Sequence, residues 1–102
     1  MTEESVIHDL ESEWEAEHGF FWKIRQGSFS EEEFQRAFRG VSAIGNFEGP
    51  RVDRRVVSLL WYIPLFMHWQ TERIAEAGGD VQAYEKAVNA MTNQVERLLG
   101  IP

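Results

Sequence analysis

Residues 56–69 read VVSLLWYIPLFMHW and form the longest mainly apolar stretch of the chain. A helix that is apolar nearly all round lies inside a protein core, so this stretch predicts the central helix of the fold. It is shorter than the roughly 20 residues that a membrane-spanning helix needs, and a membrane partner is therefore not expected. Pro64 lacks a backbone N–H and its ring clashes with the preceding turn, so we expect it to kink or divide the helix.

The clearest helix start in the sequence lies at Ser30. Ser30 and Glu33 have the spacing of a capping box, and Phe29 and Phe34 flank it as a hydrophobic staple. An apolar stripe follows at helical spacing, and we expect the helix to end by Gly45. The stripe consists of Phe34, Ala37, Phe38 and Val41.

The last helix is predicted to begin at Asp80 and to end just before Gly100, since glycine commonly follows the last helical residue. Its apolar residues recur at alternating intervals of three and four, which is typical of a seam that packs against another helix. These residues are Val81, Tyr84, Val88, Met91, Val95 and Leu98.

The first helix is predicted to start near Thr2 or Ser5, and its course beyond Gly19 has two interpretations. In one, the helix continues to Gln26, with Gly27 after its end. In the other, it breaks at His18–Gly19 and restarts. The apolar residues that fit one helical face are Ile7, Leu10, Trp14, Phe21 and Ile24.

These segments predict an all-α fold, a compact bundle of four to five helices in which the others surround a Pro-kinked, apolar central helix. A strand over residues 56–63 is the main alternative, but the sequence offers no second strand to pair with it. The length of 102 residues fits a single helical domain covering 1–102. The absence of cysteine excludes disulfides and favours a cytoplasmic location, and the acidic start MTEE is unlike a signal peptide.

Negative charge is concentrated in the first third of the chain. Residues 1–33 contain ten acids and two bases, a balance of −8, whereas residues 34–102 contain seven acids and eight bases, a balance of +1. Together these give the net charge of −7. Binding to duplex nucleic acid needs clustered Lys and Arg, so duplex nucleic acid is not an expected partner.

The acidic residues before Lys23 are the strongest candidates for a binding surface. On a continuous helix, several of them would form like-charged pairs four residues apart, each costing about 0.2–0.5 kcal/mol. A helix shaped for stability alone would interleave Lys. Because Phe20, Phe21 and Trp22 are consecutive, at least one of them must point away from the core. The candidate partner-binding residues are Asp9, Glu11, Glu13, Glu15, Glu17 and Trp22.

A second charged feature is a basic cluster between positions 36 and 55. It could bind RNA or a phosphate, or it could pair with the acidic first helix of the same molecule or of a second copy. We favour the pairing interpretation because it needs no ligand. The cluster consists of Arg36, Arg39, Arg51, Arg54 and Arg55.

No motif predicts an enzyme, a cofactor or a metal site. The single Glu15-x-x-His18 motif is half of what a di-iron bundle uses, and His68 with Glu72 adds no second copy of it. No G-x-S-x-G elbow and no P-loop is present. We interpret His68 as a histidine at the edge of the core with one hydrogen-bond partner.

The leading hypothesis is an acidic module that binds a basic protein and neutralises or regulates it. A bacterial immunity protein or antitoxin is the concrete analogy, by size, charge and helical class alone. The first alternative is a structural homodimer or assembly subunit, in which the seam of the last helix packs between two chains. The second is a small ligand-binding protein or enzyme with a pocket near Trp61, Tyr62, His68 and Trp69.

Overall fold

A computed structural model describes residues 3–102, and within this range the chain is helical with no strand. The all-α prediction is thereby confirmed, and the strand alternative over residues 56–63 is wrong. Residues 3–102 form six helices rather than four or five, because the count includes two short ones: the second helix, which precedes the third, and the fifth, which follows the fourth. The predicted start at Thr2 lies outside the described residues. The helices are α1 (Glu3–Ser12), α2 (Phe20–Arg25), α3 (Glu31–Ser42), α4 (Arg54–Trp69), α5 (Thr71–Glu76) and α6 (Val81–Leu99).

Helix α4 is central, and it packs most extensively against α6 and also contacts α1 and α5. Its inner face is fully buried, with Val56, Leu60, Ile63 and Met67 each at 0% exposure. Pro64 lies within α4 and does not divide it. Helix α3 packs chiefly against α6, α1 and α2, so the outer helices surround α4 less evenly than the sequence predicts.

The predicted caps of the longer helices are confirmed. The Ser30 hydroxyl accepts the backbone N–H of Glu33 at 3.3 Å, which is one of the two hydrogen bonds of a capping box, whereas the Glu33 carboxylate pairs with Lys23. The rings of Phe29 and Phe34 lie 6.4 Å apart, as in a hydrophobic staple. At the start of α6, the Asp80 carboxylate accepts the backbone N–H of Ala83 at 3.0 Å. Gly100 follows α6 with a φ of 86°, a region that glycine adopts without a steric penalty.

The first helix is not continuous, so the interpretation that extends it to Gln26 is wrong. The chain does restart a helix after Gly19, but the break begins after Ser12 rather than at His18–Gly19. Helix α1 ends at Ser12, and a series of turns carries the chain to Gly19 before α2 begins. The chain folds back so closely that a Cβ added to Gly19 would lie 2.2 Å from the Glu13 carbonyl oxygen. The Phe21 N–H donates to that same oxygen at 2.9 Å. The like-charged helical pairs predicted between Asp9 and Glu17 therefore do not form as helical neighbours.

The seam of α6 is filled within one chain. Tyr84, Met91, Val95 and Leu98 are all buried, and the Tyr84 hydroxyl donates to the Met67 carbonyl of α4 at 2.6 Å. A homodimer of this chain would therefore need a surface other than the α6 seam. Across residues 3–102, none of the helices combines the length and apolarity that crossing a membrane requires.

Candidate functional site

Glu13 makes its contacts within the molecule. Its side chain is 12% exposed. One carboxylate oxygen accepts the Phe20 N–H at 3.0 Å, and the two oxygens accept Arg36 Nη2 at 2.7 Å and Nε at 3.0 Å. Arg36 Nη2 also donates to the His18 carbonyl at 3.1 Å. The hydrogen bond to Glu13 raises the pKa of Arg36 above its ordinary value, so Arg36 stays positively charged throughout the physiological range.

The second acid that pairs internally is Glu11, which contacts Arg55 Nη2 at 2.7 Å. Both side chains remain about half exposed, at 47% and 54%. The prediction that the basic cluster pairs with the acidic N-terminal residues of the same molecule is thus confirmed for Arg36 and Arg55. The other three members of the cluster are exposed and form no ion pair with any residue the structure describes. They are Arg39, Arg51 and Arg54.

The remaining predicted acids are free of such pairing. Asp9, Glu15 and Glu17 are exposed, and no cation pairs with them within residues 3–102. Asp9 and Glu15 line one recess together with Glu13 and Arg36. Glu17 lies in the turn before α2 with a φ of 70°.

The predicted aromatic candidate, Trp22, does not line the recess that Asp9 and Glu15 share. Phe20 and Phe21 are each 1% exposed, whereas Trp22 is only partly buried, so one of the three consecutive aromatics does point away from the core as predicted. Trp22 is not among the residues that line the recess beside Asp9 and Glu15. The structure therefore brings Asp9, Glu13 and Glu15 to one recess, and Trp22 does not line that recess.

The sequence interpretation missed an exposed apolar ridge on the outer face of α4. Trp61, Leu65 and Trp69 are 53%, 38% and 55% exposed, although the stretch that contains them predicts a helix buried all round. We call these three residues the aromatic ridge, after the two tryptophans at its ends. They are spaced four residues apart, out of phase with the buried stripe of the same helix, which runs through Leu60 and Met67. Because both faces of this helix are apolar, the sequence carries no signal that distinguishes the exposed ridge from the buried stripe.

Two partly buried aromatics connect the ridge to the core. The Tyr62 ring lies 5.6 Å from Trp61 and 6.0 Å from Trp69, centroid to centroid. It also lies 6.1 Å from Trp14, which packs on Phe66 at 4.7 Å. Because such ring pairs hold one another in defined orientations, the ridge rests on a fixed aromatic base.

Two recesses flank the ridge, one toward each end of α4. The first, of about 410 Å³, we call the Tyr62 recess, and the second, of about 670 Å³, we call the Trp69 recess. The Tyr62 recess is lined by Glu11, Trp14, Glu15, Arg55, Ser58, Leu59 and Tyr62. The Trp69 recess is lined by His68, Trp69, Thr71, Glu72, Glu85, Val88 and Asn89.

Both recesses carry uncompensated negative charge. In the Tyr62 recess, Glu11 is balanced by Arg55, which leaves Glu15 without a counterion among the described residues. In the Trp69 recess, Glu72 and Glu85 have no cation paired with them within residues 3–102. The ridge therefore lies between two acidic hollows.

His68 lies on the surface beside this ridge. Its side chain is exposed, so its interpretation as a histidine at the core edge is wrong. Its backbone carbonyl accepts the Thr71 hydroxyl at 2.8 Å. In the part of the chain that the structure describes, no group of three His, Asp or Glu side chains is placed to hold a metal ion.

Comparison with protein-family models, with curated proteins and with solved structures finds no match to this chain. The geometry and charge of its surface are therefore the basis for assigning a function. The most distinctive part of that surface is the aromatic ridge with its two acidic recesses.

Proposed function

We propose that this chain is a protein-binding module that docks a basic protein on the aromatic ridge. The observation that carries the proposal is the exposure of Trp61, Leu65 and Trp69 on one face of α4. Burying such side chains against a partner gains roughly 25 cal/mol per Å² of apolar surface. Tryptophan is also enriched among the few residues that dominate interface energies.

The acidic recesses favour a basic partner. Glu15 lies beside one end of the ridge, and Glu72 and Glu85 lie beside the other. The net charge of −7 adds a long-range field, which speeds the encounter with a positively charged protein. Asp9 and Glu17 contribute to that field as free carboxylates, whereas we assign Glu13 mainly to holding the fold.

In biological terms, we propose that docking neutralises or regulates the basic protein, as a bacterial immunity protein or antitoxin does. This analogy rests on small size, acidity and helical class. We further propose a cytoplasmic location, which the lack of cysteine favours.

The proposal is tested by comparing three immobilised proteins in lysate from the source cell. The wild type is set beside a recess variant, Glu15→Gln/Glu72→Gln/Glu85→Gln, and a ridge variant, Trp61→Ser/Trp69→Ser. A matched control, Glu31→Gln/Glu32→Gln/Glu48→Gln, removes the same number of charges from exposed sites that line neither recess.

We expect a basic protein that the wild type and the control retain, that both other variants lose, and that elutes as salt rises. Salt largely screens interactions between exposed charges that are farther apart than the Debye length, which is about 8 Å at physiological ionic strength and shortens as salt rises. A protein held equally by all four would show that neither the ridge nor the recesses form the docking surface. Capture of an acidic protein would contradict the proposed partner.

A further inference from the structure

We infer that the docked element is an amphipathic helix with a basic side chain toward each end of its apolar face. This inference rests on the proposed function and adds the shape of the partner to it. Its basis is the combination of a ridge at i, i+4 and i+8 on α4 with an acidic hollow toward each end of that ridge.

The spacing of the ridge fits a helix. Residues four apart form the rows of side chains that pack into the grooves of a neighbouring helix. From Trp61 to Trp69 the ridge rises about 12 Å along α4, at 1.5 Å per residue. A partner helix of two to three turns covers that length.

An extended segment fits this surface less well. A bound strand is normally held by backbone hydrogen bonds to the edge of a sheet, and the chain contains no strand over residues 3–102. The backbone groups of α4 are used within the helix, apart from those at its ends and the carbonyl of the buried Leu60, which receives no N–H from Pro64. Recognition at the ridge must therefore come from side-chain packing, which an amphipathic helix supplies through one continuous face.

The positions of the recesses set the spacing of the basic residues. The linings of the two recesses are separated along α4 by between six residues, from Tyr62 to His68, and fourteen, from Arg55 to Trp69. This corresponds to about 9–21 Å of helix axis. Two Lys or Arg residues eleven positions apart lie about 16 Å apart on the same face of a partner helix, since eleven residues make about three turns.

Charge argues against a second copy of this chain as the occupant. If two copies paired ridge to ridge with α4 antiparallel, the Tyr62 recess of one would face the Trp69 recess of the other. With α4 parallel, each recess would face its own counterpart. In both arrangements Glu15, Glu72 or Glu85 would lie opposite further carboxylates, and like charges at an interface disfavour the pairing. A basic helix has no such conflict.

The test uses the full chain and three synthetic peptides of equal length. The first peptide carries a leucine face with Lys at two positions eleven residues apart. The second replaces both Lys with Glu, and the third keeps the Lys residues but has two interior prolines that prevent helix formation. Binding is measured by calorimetry and by the change in tryptophan fluorescence, at low and physiological salt.

The protein variants locate the bound peptide. The ridge variant Trp61→Ser/Trp69→Ser is compared with Ile101→Ser, which removes an apolar side chain that is 73% exposed outside the ridge. The recess variant Glu15→Gln/Glu72→Gln/Glu85→Gln is measured as well. Circular dichroism establishes that each variant keeps the helical content of the wild type.

We expect the Lys helix to bind the wild type and Ile101→Ser with equal affinity. Its affinity should fall at least tenfold in the ridge and recess variants, and the Glu helix should not bind. Equal binding of the proline peptide would overturn the inference that the docked element is a helix, while the proposal that the chain docks a basic protein would still hold. Equal binding of the Glu helix would overturn the charge assignment.

Two other results would also overturn the inference. The first is that no peptide binds while the lysate experiment retains a basic protein, because the docking function then holds with a partner of another shape. The second is a dimer of the wild type that the ridge variant loses, measured by analytical ultracentrifugation. In that case the ridge is an interface between two copies of the chain.

Discussion

Glu13 and Arg36 form a two-point ion pair across 23 positions of sequence, with Arg36 Nε 3.0 Å and Nη2 2.7 Å from the two carboxylate oxygens. Arg36 lies on α3, and Glu13 lies in the turn after α1. Because Glu13 also accepts the Phe20 N–H at the start of α2, one side chain connects three helices. The Glu13 carboxylate therefore stabilises the fold, even if other acidic residues before Lys23 bind a partner.

Removing that carboxylate should destabilise the protein. We expect Glu13→Ala to lower the free energy of unfolding by about 2–3 kcal/mol, since hydrogen bonds to charged groups contribute about 1.5–3 kcal/mol. Urea denaturation followed by circular dichroism measures this change. Glu15→Ala is the matched control, because Glu15 is exposed without an ion pair in the described part of the chain, and it should stay within about 0.5 kcal/mol of wild type. Equal effects of the two variants would contradict the structural role of Glu13.

The close approach at Gly19 predicts that no side chain fits there. A Cβ at Gly19 would lie 2.2 Å from the Glu13 carbonyl oxygen, and the backbone must move to relieve that contact. We expect Gly19→Ala to cost about 3 kcal/mol or more, the upper range for overpacking. Gly40→Ala is the control within α3, where nothing lies within 4 Å of the added Cβ. It should stabilise the helix by about 0.5–1 kcal/mol. A mild effect at Gly19 would show that the turn adapts.

The positive φ of Glu17 predicts a stabilising substitution. At 70°, this residue adopts the left-handed conformation that costs a residue with a Cβ roughly 1–2 kcal/mol. Glycine removes that cost but gains entropy in the unfolded chain, so we expect Glu17→Gly to raise stability by about 0.5 kcal/mol. Glu17→Gln keeps the backbone strain and removes the charge, which separates the two effects. If Gln stabilises as much as Gly, the charge of Glu17 is the cause instead.

The fold was predictable where local signals and burial agree. The cap and staple of α3 involve residues close together in sequence, namely Ser30, Phe29 and Phe34. The last helix likewise has the cap and the buried apolar seam that its sequence predicts. The break after Ser12 was less accessible, because it depends on Glu13 reaching Arg36 and Phe20 in other elements. No local propensity encodes such a contact.

The candidate site was harder to predict than the fold. A run of apolar residues in one helix has no polar face from which to read its orientation, so the exposed position of Trp61 and Trp69 depends on how many neighbours cover α4. Glu72 and Glu85 lie in separate helices and meet at one recess only through packing. The charge of the acidic residues before Lys23 can be read from the sequence, whereas the exposure of the ridge is set by how the helices pack.

Burial of Tyr84 predicts a loss of stability in alkali. Burial raises the pKa of its hydroxyl above the ordinary value, which is about 10. The folded state therefore holds this proton more tightly than the unfolded state. The associated stability is complete below pH 10 and is lost as pH rises from there toward the folded pKa. We expect the free energy of unfolding to fall across this range.

Tyr84→Phe provides the control for the alkaline effect. It removes the hydrogen bond to Met67 and should cost about 1 kcal/mol near neutral pH, but its stability should fall less above pH 10. Absorbance at 295 nm, which follows ionised tyrosine, and urea denaturation together measure the effect. The same alkaline slope in Tyr84→Phe would mean that another group is responsible.

Substituting two leucines of α4, one buried and one on the ridge, tests whether the ridge acts in binding or in folding. Leu60 is 0% exposed and Leu65 is 38% exposed, so the same substitution acts on opposite faces of one helix. We expect Leu60→Ala to cost about 2–5 kcal/mol through lost burial and a cavity. Leu65→Ala should cost less than Leu60→Ala, because more than a third of its surface already contacts water, and it should weaken the binding of the Lys helix severalfold. A large loss of stability in Leu65→Ala would mean that the ridge supports the fold, and unchanged binding would remove Leu65 from the docking surface.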